Sequence, residues 1–276
     1  MKLCGENSCQ RACGLTPPYL EVHVVQCEDR QMRITVVGSG DAFGSGGRFQ
    51  TCIAVAPEGE ASPTVLVDCG ATSLTALRQQ QIDPNAVSTV IVSHLHGDHF
   101  GGLPFLVLDG QFRRRTQDLT VVGPPGTQDR LLQAMEAMYP GSTSARRRFD
   151  VRVVEHVDRR PLELDGLRVT PFEVRHASGA PAYALRVDSD GGSMAYSGDT
   201  EWTDALLDAA DSVDVFLCEG YSETPVRWHL DIDTLSRHRD RLTCDELVLT
   251  HLSPSALALD LTDWTVAHDG LRLEFA

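Results

Sequence analysis

A chain of 276 residues with 42% hydrophobic side chains can bury a substantial core, which excludes disorder as the default and fits one large domain or two small ones. A net charge of -15 disfavours a protein whose affinity comes mainly from coating nucleic-acid phosphates with cations, leaving only local patches for that role. No run of about 18 apolar residues and no basic start followed by an apolar stretch is present, so the expectation is a soluble cytoplasmic protein with no membrane partner. Lys2 is the only lysine; an acidic, arginine-based surface of this kind fits either a high-salt habitat or a GC-rich codon bias.

In chain order, residues 1–31 form a cysteine-rich extension. Cys4, Cys9, Cys13 and Cys27 match no paired C-x2-C knuckle, so a plain extension is favoured over a structural zinc or redox role. From residue 32 to 276 the pattern is that of one α/β domain. "MRITVVGSG", "TCIAVAP" and "PTVLVDCG" read as strands, "ATSLTALRQQQ" as a helix, and "VSTVIVS" as a buried strand. A helix over "FGGLPFLVLDGQF" is weakened by Pro104 and Gly110; the strand "LTVVG" and the amphipathic helix "TQDRLLQAMEAMY" follow. Strands are expected at "DVRVVEH", "LRVTPFEV", "AYALRV", "SMAYSG", "VDVFLCEG" and "ELVLTH", with helices at "EWTDALLDAA" and "DIDTLSRHRDRL". No linker rich in Pro, Gly or Ser divides the halves. Cys52, Cys69, Cys218 and Cys244 fall in or beside the apolar strand runs and read as buried thiols.

"SHLHGDHF" places three of the ten histidines and an aspartate directly after a buried strand. Alternate residues of an extended chain point the same way, so His94 and His96 can face one point. Gly97 would let the chain turn at once and bring Asp98 and His99 round. This mixed nitrogen and oxygen set suits a metal such as zinc, and one ion needs about four ligands, so further ligands are expected elsewhere. His176 follows "TPFEV", Asp199 lies in "SGDT", His251 in "THLSP", and His229 ten residues past Glu219 at the end of "VFLCEG". Any one of them alone reads as a surface or hydrogen-bonded residue; four at strand ends or loops, after such a cluster, point to a metal site. His23, His156, His238 and His268 have no such setting.

The order HxHxDH, His, GDT, His, THLS resembles the metallo-β-lactamase superfamily, and within it the ribonuclease Z-like branch, from about Met32 to the C-terminus. "VVGSGDAFGSGGRFQTC" resembles that branch's first strand and glycine-rich loop. The resemblance implies an αββα sandwich with a two-metal centre at one edge, most often of Zn2+, although Mn2+ or Fe also suits these ligands. It implies that His94, His96 and His176 hold the first ion, that Asp98, His99 and His251 hold the second, and that Asp199 bridges them. Two such ions make a bound hydroxide near neutral pH. The resemblance further gives Asp98 a second job as proton acceptor, and His229, oriented by Glu219, the role of proton donor to the departing oxygen.

Ribonuclease Z enzymes that process transfer RNA carry a long arm, whereas only 22 residues, read as two strands, separate His176 from Asp199 here. With the acidic charge this disfavours tRNA and favours a small-molecule substrate. Arg113–Arg115 and Arg146–Arg148 read as solvated turns in preference to phosphate patches. The expectation is therefore a dinuclear hydrolase of small phosphodiesters, of cyclic nucleotide or cyclic sugar phosphate type. The alternatives are an ester, lactone or thioester hydrolase on the same centre, an inactive metal-fold scaffold, or a biosynthetic member whose leader handles sulfur compounds or a carrier-bound intermediate. A homodimer is expected from the resemblance, and an aromatic content of 6% gives no sign of a base-stacking platform.

Overall fold

Alternation of β-branched residues in "RITVVG" produces the first strand, β1 (Arg33–Gly38), whose Ile34 and Val36 enter the core. The computed structural model describes residues 31–274; the cysteine-rich extension, except its last residue, and with it Cys4, Cys9, Cys13, Cys27 and His23, lies outside the described residues. After β1 come β2 (Cys52–Ala56), β3 (Val65–Val67), α1 (Ser73–Gln79), β4 (Thr89–Ile91), α2 (Gly97–Phe100), α3 (Leu103–Phe112), β5 (Leu119–Gly123), α4 (Thr127–Met138) and β6 (Val151–Glu155). The second half contributes β7 (Leu162–Leu164), β8 (Leu167–Val174), β9 (Ala182–Ser189), β10 (Gly192–Tyr196), α5 (Ala205–Ala209), β11 (Val215–Glu219), α6 (Ile232–His238), β12 (Glu246–Thr250), α7 (Pro254–Leu257), β13 (Thr265–Val266) and β14 (Leu271–Glu274).

These strands build two seven-stranded sheets, in the orders β14-β1-β2-β3-β4-β5-β6 and β13-β12-β11-β10-β9-β8-β7. The sheets pack face to face over Ile34, Ile53, Val67, Leu185, Tyr196 and Leu217. Outer faces are covered by helices: α1, α3 and α4 contribute Leu77, Leu103, Leu106 and Leu131 on one side, and α5 and α6 contribute Leu206 and Leu235 on the other. This is an α/β sandwich of αββα layering in a single domain. Strand β4 explains why such strands read as unbroken apolar runs: Val90 faces the helices while Ile91 faces the opposite sheet. Each side chain of that size, fully buried, contributes about 1.5–3 kcal/mol.

Helix α3 forms despite its proline and glycine. Pro104 falls in the first turn, where no intrahelical donor is lost, and Gly110 packs so tightly that a Cβ would stand 3.1 Å from Phe149. Strands β7, β13 and β14 go beyond the sequence expectation. The last matters most, because β14 pairs antiparallel with β1 and returns the chain's end to the first sheet.

Strands β3, β4, β5 and β6 run parallel to one another, as do β10, β11 and β12 in the second sheet. Because β9 is antiparallel to both β8 and β10, β8 ends at the same edge as β10. The carboxyl ends of both sheets thus open on a shared edge, and there the Tyr183 amide of β9 donates to the Ser93 carbonyl after β4, at 3.0 Å.

Candidate metal centre

At the end of β4 the chain stays extended and places His94 and His96 with ring centroids 4.9 Å apart. The turn that follows needs no special backbone, contrary to the expectation for Gly97: this glycine has no left-handed torsion, and a Cβ on it would meet open space. The start of α2 makes the turn, with the Phe100 amide donating to the His96 carbonyl at 2.9 Å, and this brings Asp98 and His99 inward. Close approach is instead required at Gly70, where a Cβ would lie 2.2 Å from the Asp98 carbonyl oxygen.

The sequence reading missed Asp68. It ends "TVLVD" after β3, is fully buried, and holds a left-handed φ of 59°. Its carboxylate accepts the Ser93 amide, the Ser93 hydroxyl and the His99 Nδ1–H, each at 2.7 Å. Ser93 Oγ, having donated its proton, accepts Nδ1–H of His94 at 3.1 Å. Both rings therefore carry their protons on Nδ1 and present bare Nε2 lone pairs.

The opposite sheet answers with its own strand ends. His176, after β8, donates Nδ1–H to the Trp228 carbonyl at 2.7 Å and points Nε2 at Nδ1 of His96, 3.0 Å away. Asp199, after β10, has Oδ2 3.9 Å from His94 Nε2 and 4.0 Å from His176 Nε2. Its Oδ1 lies 3.2 Å from His99 Nε2 and 3.6 Å from His251 Nε2, while Asp98 Oδ2 lies 3.2 Å from each of those nitrogens. His251 follows β12 with φ 59°, again left-handed.

All seven residues therefore converge, as His94, His96 and His176 on one side and Asp98, His99, Asp199 and His251 on the other. Within each group the ligand atoms lie within 4.8 Å of one another. Ligands of a tetrahedral ion, bound at about 2.0–2.1 Å, stand roughly 3.3 Å apart, which these spacings resemble. His94 Nε2, His99 Nε2 and Asp199 Oδ1 are buried without hydrogen-bond partners, the state expected of atoms whose partner is a cation. Among the described residues, the ion pairs of Asp98 and Asp199 are all with histidines. Burial would raise the Asp199 pKa, but His251 and His99 hold it well below the usual range; burial likewise opposes charge on His251, yet Asp199, Asp98 and Glu219 raise it to about 10. The mixed imidazole and carboxylate donor set suits a divalent ion.

Beside it stands His229, brought by the Tyr221–Leu230 loop. Its Nδ1 is 2.5 Å from Oε1 of the fully buried Glu219, whose Oε2 accepts the amides of Thr200 and Leu230 at 2.9 and 3.1 Å. Burial disfavours the charged ring, but the Glu219 hydrogen bond and charge outweigh it and raise the His229 pKa. His229 Nδ1 lies 3.9 Å from Asp199 Oδ2, and the Tyr221 ring stacks on His229 with centroids 4.3 Å apart. Trp228, unusually for so bulky a residue, has φ 73°; this turns its carbonyl to His176 and its amide to Glu201, at 2.9 Å.

The other histidines among the described residues stay out of the site. His156 is buried with Nε2–H donating to the Val92 carbonyl at 3.0 Å, His238 stacks on Trp202, and His268 is exposed. Of the first arginine triplet, Arg115 is buried and donates to the carbonyls of Pro84, Val87, Gln117 and Asp118, so it braces a turn and is not part of a phosphate patch. Cys52, Cys69 and Cys218 are buried free thiols and Cys244 is half-buried; burial raises the pKa of all four. No helix among the described residues is long and apolar enough to cross a membrane.

Comparison with known proteins places this geometry. The chain is 34% identical over 232 residues to the uncharacterized protein ML1173 of Mycobacterium leprae, covering 81% of this chain and 78% of that one. In fold it is similar to the short form of human tRNase Z (TM-score 0.71, 21% identity, 88% of this chain and 99% of that one). It is similar too to a diphosphatase from the PhnP family (TM-score 0.69, 19% identity, 89% and 98%). Residues 32–263 match the family described as anti-Pycsar protein Apyc1, and the chain belongs to that family, within the ribonuclease Z-like branch of the metallo-β-lactamase fold.

Proposed function

We propose that the chain is a dinuclear metal-dependent hydrolase of small phosphodiesters, of cyclic nucleotide or cyclic sugar phosphate type. In this reading His94, His96 and His176 hold one divalent ion, Asp98, His99 and His251 hold the other, and Asp199 lies between them, with zinc best suited to the ligand set. Divalent ions held there would polarise a phosphoryl oxygen and lower the pKa of a bound water.

The chain's own groups supply the rest. Asp98 accepts the proton of the attacking water. His229 donates a proton to the departing oxygen; Glu219, gripping Nδ1, leaves the other ring nitrogen for that task and favours the charged ring. The observation that carries the reading is this Glu219-held His229 beside Asp199: it belongs to neither of the two groups assigned to the ions here, and the third possible grouping, Asp199, Glu219, His229 and His251, is one in which Glu219 already grips its Nδ1. A small substrate is supported by the short passage from His176 to Asp199, which is occupied by the β9–β10 hairpin and has no room for an arm. A fold relative named for diphosphatase activity fits a phosphorus-centred substrate.

The deciding experiment is hydrolysis of bis(4-nitrophenyl) phosphate by zinc-loaded protein, beside Asp98→Ala with its metal content measured. Turnover in the parent that is lost in the variant supports the assignment. No turnover in protein that holds its ions would remove the phosphodiesterase reading and leave lactones and thioesters.

A further inference from the structure

Glu201 follows Asp199 closely and lies outside the candidate ligand groups among the described residues, yet three segments that carry the site meet at it. Its amide donates to the Arg175 carbonyl at 3.0 Å, and the Arg175 amide donates to the Thr200 hydroxyl at 3.1 Å, which pins the backbone just before His176. Oε1 of Glu201 accepts the Trp228 amide of the Tyr221–Leu230 loop at 2.9 Å, 27 residues away in sequence. The Trp228 carbonyl in turn accepts Nδ1–H of His176 at 2.7 Å.

These bonds close a ring that fixes His176 twice, through the residue before it and through its imidazole. An imidazole whose Nδ1–H is held keeps its proton there and leaves Nε2 for a metal. Trp228 would not present its carbonyl unaided. Its φ of 73° is left-handed, a conformation that bulky residues avoid and that persists only where the surroundings hold it. Trp228 also directly precedes His229, whose amide donates to the Val226 carbonyl at 3.2 Å, so the same anchor sets the backbone from which the His229 ring projects. The ion pair of Glu201 with Arg175 is a weaker reason for the residue: it spans 3.5 Å and two-thirds of the Arg175 side chain, 67%, is exposed, where such pairs contribute little.

We propose that Glu201 is a positioning residue which, by holding the Trp228 backbone, orients the metal ligand His176 and the proton donor His229 together. The inference rests on the reading above for the roles of those two histidines. What the task requires is a hydrogen-bond acceptor at the reach of a glutamate side chain; the charge is incidental to it.

The test compares Glu201→Ala, Glu201→Asp and Glu201→Gln. Glutamine keeps the acceptor and its reach without the charge, whereas aspartate keeps the charge on a shorter stem. In nitrogen-15-labelled protein the Nδ1–H resonance of His176, assigned by its loss in His176→Ala, should persist in Glu201→Gln and disappear from Glu201→Ala and Glu201→Asp. Titration with Co2+ should show one of the two ions bound about 10–100-fold more weakly in the alanine and aspartate variants and unchanged in the glutamine variant. With metal in excess, kcat for bis(4-nitrophenyl) phosphate should fall about 10–100-fold in the same two variants at constant KM. Parent-like behaviour of all three variants overturns the proposal, as does equal loss in all three, which would make Glu201 a general folding residue. A preserved aspartate variant beside an impaired glutamine variant overturns it in favour of the ion pair with Arg175. If the parent hydrolyses no diester, the reaction reading fails, while the His176 resonance and the Co2+ titration still decide the role of Glu201.

Discussion

The carboxylate of Asp68 and Nδ1 of His99 lie 2.7 Å apart in a fully buried pair, although neither the sequence pattern nor the ligand count calls for Asp68. Because the same carboxylate also fixes Ser93, and through it His94, it orients one ligand in each group. Asp68→Ala should therefore weaken metal retention about 10–100-fold at both positions. Competition against a chromophoric chelator measures this directly; unchanged affinity would reduce Asp68 to a packing residue.

His229 makes a kinetic prediction. Its replacement by alanine should lower kcat by about 10²–10⁴ with little change in KM and unchanged metal content, as expected of a group whose help comes in the transition state. An equal rise in KM at constant kcat would make it a binding residue instead.

In the proposed mechanism, Glu219 sets the pH profile. By raising the His229 pKa it keeps the donor protonated to higher pH, so activity declines on the alkaline side only above that raised value. Glu219→Gln retains an acceptor for the Thr200 and Leu230 amides but removes the charge. The alkaline limb of the pH–rate profile should then move to lower pH; an unmoved limb would dissociate it from His229.

Gly70→Ala should destabilise the protein by about 1–3 kcal/mol, the usual range for overpacking, because the new Cβ meets a backbone carbonyl that cannot swing away. That carbonyl belongs to Asp98, so metal retention should fall together with the denaturation midpoint. Loss of stability without loss of metal would separate the two.

His156 predicts acid sensitivity. Burial lowers its pKa to about 4, against 6.5 in an unfolded chain. The unfolded state thus gains a proton between these values while the folded state does not, so the contribution is complete above pH 6.5 and is lost as pH falls toward 4. The loss reaches about 3 kcal/mol. His156→Gln keeps a donor for the Val92 carbonyl and should show a shallower stability decline over this window in urea titrations.

How much of this was legible in the sequence depends on the kind of information. The seven candidate ligand residues that converge and His229 stood out because each is a chemically costly residue next to an apolar strand, and the strands themselves were marked by β-branched runs. Asp68 looked like any polar residue ending a strand, since its partners, Ser93 and His99, are 25 and 31 residues away. Gly97 was credited with a turn that helix geometry makes unaided, while Gly70, where the chain truly needs a missing Cβ, carried no signal. Strand β14 went unread because its pairing with β1 spans nearly the whole chain, and the bond from the Trp228 amide to Glu201 likewise joins residues 27 apart.

Each ligand group described above draws from both sheets: His94 and His96 from the first with His176 from the second, and Asp98 and His99 from the first with Asp199 and His251 from the second. An ion bound in either group therefore works as a clasp across the open edge of the sandwich. Its binding energy enters the cooperativity of the whole fold, so metal scarcity would register as a softened tertiary structure, with a falling thermal midpoint, as well as through lost turnover.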